Sequence, residues 1–273
     1  MRSRWRSSRP LNIAIRWRAI LKRPFSTLTP RSRTACVRQW NGRLTIWTRA
    51  RPSDPTGMTK DQIFEFFRRL AEDNPEPETE LEYGNAYQLV VAVALSAQAT
   101  DVGVNKATRA LFARVETPQQ MLDLGLDGLI EHIKTIGLFN SKAKNVIALS
   151  QLLIDEYGGE VPDTREDLVR LPGVGRKTAN VVLNCWFKQE TFAVDTHILR
   201  VGNRTGLAKG KTPEQVEAKL EKRVPQPFRL HAHHWLILHG RYVCKARTPE
   251  CWRCPVVDLC SFRKKVLEKP KGR

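Results

Sequence analysis

From Met58 onward, apolar residues recur at helical spacing in one segment after another. Ile63, Phe66, Phe67 and Leu70 lie three or four apart, and Thr59 with Gln62 supplies a capping signal just before them. Asn74-Pro75-Glu76-Pro77-Glu78 ends that helix and reads as a linker. Ala86 to Ala97 is apolar nearly all round, which predicts a helix buried on every side. Thr117-Pro118-Gln119-Gln120 and Thr212-Pro213-Glu214-Gln215 share one start signal, with Thr at the N-cap and Pro at the first helical position. Leu126 to Lys134 predicts a short helix, and Ala143 to Tyr157 a longer amphipathic one stopped by Gly158-Gly159. Val216, Leu220 and Val224 give a further helix its buried side. His231, His233 and His234 stand among Trp235, Leu236, Ile237 and Leu238, a pattern of packing more than of metal binding. No alternating strand or hairpin signal follows Met58, so this part of the chain is predicted all-α.

One stretch breaks this regularity. Leu171-Pro172-Gly173-Val174-Gly175-Arg176-Lys177 predicts a glycine turn between two helices. Asp163 and Glu166 form a capping-box pattern for the first, and Leu168, Val169 and Leu171 give it an apolar side. Pro172 disfavours helix at Leu171, while Gly173 and Gly175 allow backbone angles closed to other residues. The second helix starts near Arg176, and its free N–H groups can hold an anion such as a nucleic-acid phosphate. A G-x-G turn is common where helices reverse, and a lysine beside one is ordinarily a phosphate contact. Asp195, likewise, can serve as the N-cap of a helix from Thr196 to Asn203.

Composition changes the picture in one respect. The 273 residues carry a net charge of +18, which points to a polyanionic partner. Residues 1–57 hold thirteen Arg and Lys22 against Asp54 alone, so +13 of that excess sits there and only +5 in the rest. DNA affinity in the remainder must therefore come from placement of charge. The leader also holds four of the seven Trp and shows no sustained period. Three readings suit it: a mitochondrial transit peptide, a basic DNA-binding arm, or translated upstream sequence with the true start at Met58. No apolar run reaches the roughly 18 residues that span a membrane.

The clearest candidate chemistry lies near the C-terminus. Cys244, Cys251, Cys254 and Cys260 follow the spacing C-x6-C-x2-C-x5-C. Four thiolates this close can enclose one metal centre. Tetrahedral zinc and an iron–sulfur cluster are both four-cysteine chemistries, although zinc sites more often use two C-x2-C pairs. Disulfides are a third reading, for which nothing else here suggests a secreted scaffold.

Together the glycine turn with Lys177, the segment Val194-Asp195-Thr196-His197 and this cysteine spacing resemble the endonuclease III family of helix-hairpin-helix DNA glycosylases. The resemblance runs from Met58 almost to the end, which favours Met58 as the true start and a disordered or mis-started leader. It implies an all-α, two-domain fold: a six-helix domain over 79–189 carrying the hairpin, and residues 58–78 joined with 190–273 in a 4Fe–4S cluster domain. Lys177 and Asp195 would face each other across the cleft as nucleophile and essential carboxylate. A nucleophilic lysine needs its neutral amine, which Arg176, the positive helix end and partial desolvation would favour. Gln98, in Ser96-Ala97-Gln98-Ala99-Thr100-Asp101, would fill the gap left by an extruded base, and Leu138 would wedge into the opposite strand. Gly173, Gly175, Arg176 and Arg247 would meet phosphates, with Lys245 and Arg253 beside them, and Cys244, Cys251, Cys254 and Cys260 would hold the 4Fe–4S cluster.

The implied function is base-excision repair by a bifunctional N-glycosylase that removes oxidised pyrimidines and cleaves the strand by β-elimination as an AP lyase. Its partner would be duplex DNA bearing damaged pyrimidines or abasic sites, met by a monomer without membrane attachment. Its place would be the bacterial cytoplasm, or a mitochondrion if the leader is a genuine transit peptide. An adenine-type monofunctional glycosylase of the same superfamily shares the cysteine spacing, but it lacks the lysine and has a further C-terminal domain. This chain has Lys177 and ends thirteen residues after Cys260. A non-enzymatic DNA-binding iron–sulfur protein would give Lys177 and Asp195 no shared purpose.

Overall fold

The structure, a computed structural model, describes residues 57–269 and, upstream, the backbone of two short strands. These are β1 Gln39–Trp40 and β2 Arg43–Leu44, paired antiparallel with Gln39 opposite Leu44. The expectations for the 1–57 leader otherwise lie outside the described residues. Within 57–269 every regular element is helical. In order these are α1 Lys60–Asp73, α2 Ala86–Leu95, α3 Asp101–Phe112, α4 Pro118–Ile133, α5 Phe139–Tyr157 and α6 Arg165–Arg170. They are followed by α7 Arg176–Cys185, α8 Thr196–Thr205, α9 Pro213–Arg223 and α10 Arg229–Tyr242, with short 3-10 turns at Gln226–Phe228 and Cys251–Arg253.

Local signals fix most helix starts. Thr59 Oγ1 accepts from Gln62 N at 3.2 Å while Thr59 N donates to Gln62 Oε1 at 2.9 Å, the reciprocal box read from the sequence. Thr117 and Gln120 repeat it. Gly125, at φ 73, breaks α4 and so separates the short helix expected from Leu126 onward. Two expectations shift. α2 ends at Leu95 instead of Ala97, and Ser96 caps it. For α6 the N-cap is Thr164, not Asp163: Thr164 Oγ1 accepts from Asp167 N at 3.2 Å. Asp163 is held back by tertiary contact, its carbonyl accepting from Gln189 Nε2 at 2.7 Å. Val169, expected on the apolar side of α6, is exposed, whereas Leu168 and Leu171 are buried.

The buried apolar residues fall into two cores. One runs from Leu81 to Cys185 and is centred on α2, which is buried from Tyr87 to Leu95. The other joins Met58 to Leu70 of α1 with Phe192 to Val256. Phe66 and Phe67 are fully buried there, Phe67 stacking on Phe228 at 5.9 Å, and each such burial stabilises by about 1.5–3 kcal/mol. Trp235 Nε1 donates to Asn74 O at 2.7 Å and pins the end of α1 to α10. The chain passes between the cores only over residues 71–80 and 186–191.

Candidate functional site

The hairpin between α6 and α7 is shaped by Gly173, at φ 80, where a Cβ would come within 3.0 Å of the Asn145 side chain. Only glycine suits that position. Gly175 differs from expectation: its φ of −92° is open to any residue, and what its missing side chain leaves is clear space above the mouth of α7. α7 has no side-chain cap, unlike the starts of α1 to α4, α6, α8 and α9. Among the described residues its first-turn N–H groups therefore have no capping side chain, in the place where an anion is favoured.

Lys177 stands exposed on that first turn. One turn further, buried Asn180 donates from Nδ2 to Phe192 O at 3.0 Å, and Thr191 Oγ1 donates to Asn180 O at 2.6 Å. α7 is thereby tied to the segment that reaches Asp195 three residues later. Asp195 is half-buried and caps α8, its Oδ1 accepting from His197 N and Ile198 N, both at 2.9 Å. Among the described residues Oδ2 has no hydrogen-bond partner, so one carboxylate oxygen holds the helix and the other is left open. Arg176 does not stand free as expected. It makes a bidentate pair with buried Glu217, at 2.8 and 3.0 Å, which raises the guanidinium above its ordinary pKa.

Gln98 and Leu138 share an unusual backbone. Among the described residues only three non-glycines have positive φ, and these two are at 56° and 62°. Both are exposed, Leu138 to 62%. A left-handed conformation costs an L-residue about 1–2 kcal/mol, and such strain concentrates at functional positions. The adjoining Asp101 is paired with Arg241 at 2.5 Å, which joins the Gln98 turn to α10.

Cys244, Cys251, Cys254 and Cys260 are all free of disulfides and line one pocket, together with His239, Val256 and Phe262. No three His, Cys, Asp or Glu side chains among the described residues converge on a single ion position. The four thiols converge on one pocket, a donor set that suits an iron–sulfur cluster. Burial pushes the Cys254 thiol up to about 11, a burden that a bound cationic centre would lift. Nitrogen donors already surround the sulfurs: Arg204 Nη1 reaches Cys244 Sγ at 3.6 Å and Phe262 N reaches Cys260 Sγ at 3.4 Å. Of the loop cations, Lys245 and Arg253 are both paired with Glu250. Arg247 is exposed and has no ion pair among the described residues.

The histidines pack, as their apolar neighbours suggested. His233, His234 and His239 are buried, and burial holds the last two near 4 and therefore neutral at working pH. Glu217 and Asn180 were not anticipated from sequence. A signal for Glu217 existed: it sits between Val216 and Leu220 on the buried side of α9, where a carboxylate demands partners.

Residues 91–226 match the family described as HhH-GPD superfamily base excision DNA repair protein, and residues 244–260 match the iron-sulfur binding domain of endonuclease III. The second match begins at Cys244 and ends at Cys260. Fold and site thus define a helix-hairpin-helix base-excision DNA repair protein carrying an iron–sulfur domain. The chain is 58% identical over 209 residues to endonuclease III of Haemophilus influenzae, covering 77% of this chain and 99% of that protein. Endonuclease III of Escherichia coli K12 is 56% identical with the same coverage. A solved endonuclease III–DNA covalent intermediate, an estranged-adenine complex, superposes with a TM-score of 0.70 at 43% identity, over 74% of this chain and 96% of that one. The chain belongs to the endonuclease III family. It is a DNA glycosylase with AP lyase activity, acts on DNA and has a 4Fe–4S cluster as its cofactor. Among the described residues no helix is long and apolar enough to cross a membrane.

Proposed function

We propose that Lys177 is the nucleophile, that Asp195 is the carboxylate that assists base departure, and that the substrates are oxidised pyrimidines and abasic sites in duplex DNA. The observation that carries this is the pairing of an exposed lysine on an uncapped helix start with a carboxylate whose Oδ2 is open, on two elements tied through Asn180. In this reading residues 79–189 form one domain, residues 58–78 with 190–273 the other, and a monomer works on one duplex at the bacterial nucleoid.

A base stacked in a duplex is beyond reach of any side chain, so the nucleotide is rotated out. Leu138 and Gln98 fill the space that it leaves; both project from strained, exposed turns. The free N–H groups around Gly173 and Gly175 seat a phosphate, and Arg247 meets another, contacts that position DNA without reading sequence. The neutral amine of Lys177 donates its lone pair to the sugar C1′, and the N-glycosidic electrons leave with the base. Asp195 stabilises the positive charge that develops on the sugar and assists proton transfer. Opening of the sugar ring gives a Schiff base on C1′, loss of the C2′ proton follows, and the 3′ phosphate departs by β-elimination. A covalent endonuclease III–DNA intermediate among the solved relatives supports a nucleophile of this kind. Lys177 is exposed without DNA, so desolvation of its amine comes with the bound nucleotide. Cys244, Cys251, Cys254 and Cys260 would hold the cluster, which when bound supplies folding energy to the loop bearing Arg247.

Borohydride reduction on damaged or abasic duplex tests this. Wild-type protein forms a stable adduct. Lys177→Ala loses both adduct and strand cleavage while still binding damaged DNA, and Lys177→Arg fails because guanidinium stays charged. An adduct that persists in Lys177→Ala removes the lysine from the mechanism.

A further inference from the structure

The two cores meet at a buried acid. Glu217 rises from α9, part of the second core, and its side chain is only 5% exposed. A carboxylate so deep is costly unless paired. Its partners are all placed around the lysine-bearing helix. Arg176 Nη2 and Nε donate to Oε1 and Oε2 at 2.8 and 3.0 Å. Asn180 Nδ2 donates to Oε1 at 3.0 Å, and Arg165 Nη2, from the first helix of the hairpin motif, stands 3.8 Å away. Arg176 and Asn180 are one helical turn apart and bracket Lys177, at one position before and three after.

The same Asn180 amide donates to Phe192 O. One carboxylate therefore fixes the first turn of α7 and, through a shared amide, the backbone leading to Asp195. An arginine fork bound at both oxygens resists rotation better than any single hydrogen bond.

We propose that Glu217 is a positioning residue, clamping the first turn of α7 so that Lys177 and Asp195 keep their mutual register when DNA is bound. This rests on the assignment of Lys177 as nucleophile. Glu217 touches no reacting atom and acts through Arg176 and Asn180. The clamp also explains why Arg176 is withheld from phosphate: its cation is committed to geometry, and among the described residues the neighbouring lysine is the one without an ion pair.

The test separates chemistry from binding in the full-length protein. Single-turnover adduct formation with borohydride and the Kd for abasic duplex are measured for Glu217→Gln, Arg176→Met and the double variant. Misplacement near 1 Å costs a reaction up to about 10²-fold, so each single variant should slow adduct formation roughly 10- to 100-fold. Kd should change less than about threefold, since Glu217 and its partner Arg176 are committed to each other and not to the DNA. The double variant should be no slower than the slower single one, because both act through one contact. Arg176→Lys should not restore the rate, as an ammonium cannot span both oxygens. Full adduct rate in Glu217→Gln, a defect confined to Kd, or additive losses would overturn the proposal. If a single variant does not fold, the double variant, which buries no unpaired charge, decides by its rate alone. Adduct lost in Lys177→Ala but formed at full rate in Glu217→Gln would sink the clamp and leave the nucleophile standing; adduct retained in Lys177→Ala would sink the nucleophile.

Discussion

Leu138 is held in a conformation that it would not choose, and replacing it should make the protein both more stable and a poorer enzyme. Its backbone lies at φ 62 and ψ 26, and the residue is 62% exposed, so it contributes little to the core. Releasing a left-handed L-residue recovers about 1–2 kcal/mol, while glycine costs about 0.5–1 kcal/mol more chain entropy than alanine on folding. Leu138→Gly should therefore gain about 0.5–1 kcal/mol, which for a body of some 200 residues raises Tm by roughly 1–4 °C. Base release from damaged duplex should meanwhile fall at least about tenfold, or 1.4 kcal/mol of barrier, because nothing supports the unstacked step. Leu138→Ala separates the effects: it removes the wedge but keeps the strain, so activity should drop without the gain in Tm. Calorimetry paired with single-turnover base release gives both quantities. A Leu138→Gly protein that melts lower and excises at the wild-type rate would refute this account.

Under the role proposed for it, Asp195 divides cap from chemistry. Asp195→Asn keeps the Oδ1 acceptor and should hold Tm within about 1 °C, while base release slows by about 10² or more; Asp195→Ala should also lose about 1–2 kcal/mol of helix capping. Equal Tm losses in the two variants would contradict that division. Arg247→Ala should weaken binding to all duplexes alike and lower the slope of log K against log salt by about 0.9; an unchanged slope in a binding titration would take Arg247 off the DNA. Acid should loosen the tie between α1 and the cysteine loop. Hydrogen bonds from Arg68 and Arg69 pull the Glu65 carboxyl down to about 2, and Arg69 also pairs with Asp258 at 2.7 Å. Because the folded value is depressed, this contribution is present above the ordinary value of 4.5 and fades as pH falls toward 2. Glu65→Gln should flatten the fall in Tm between pH 5 and about 2.5, an effect that added salt reduces because the groups are a third exposed. Parallel Tm curves for the two proteins would exclude Glu65 as a source.

What could be seen from sequence was local. The Thr59–Gln62 and Thr117–Gln120 caps close within three residues, and an all-apolar α2 has no choice but burial. The cysteine loop was legible because its four thiols lie within one short run. Where two caps competed, tertiary contact decided: Gln189, twenty-six residues away, takes the Asp163 carbonyl, and Thr164 becomes the cap. Gly175 looked conformationally necessary beside Gly173, yet only Gly173 has the backbone that needs glycine. Glu217 reaches Arg176 across 41 positions, a separation over which no periodicity carries information. The strain at Gln98 and Leu138 was likewise hidden, since neither is a residue type that ordinarily marks a left-handed turn.

The second core is built from both ends of its chain, and that imposes an order on synthesis. Phe66 and Phe67 leave the ribosome early, but Phe192 and its neighbours follow about 120 residues later, some 6–24 s at ordinary elongation rates of about 5–20 residues per second. During that interval α1 is an apolar stripe without a mate, while the Leu81–Cys185 core can already close. The hairpin can thus be finished on a folded scaffold before Asp195 exists as part of any structure. The cysteine loop follows Phe228 and Trp235, so iron delivery falls after α1 has met them and completes the core with Val256. A cell short of iron would accumulate chains complete in their first core whose second core still lacks its last piece, Val256 of the cysteine loop, and that is the form that proteases and chaperones would meet.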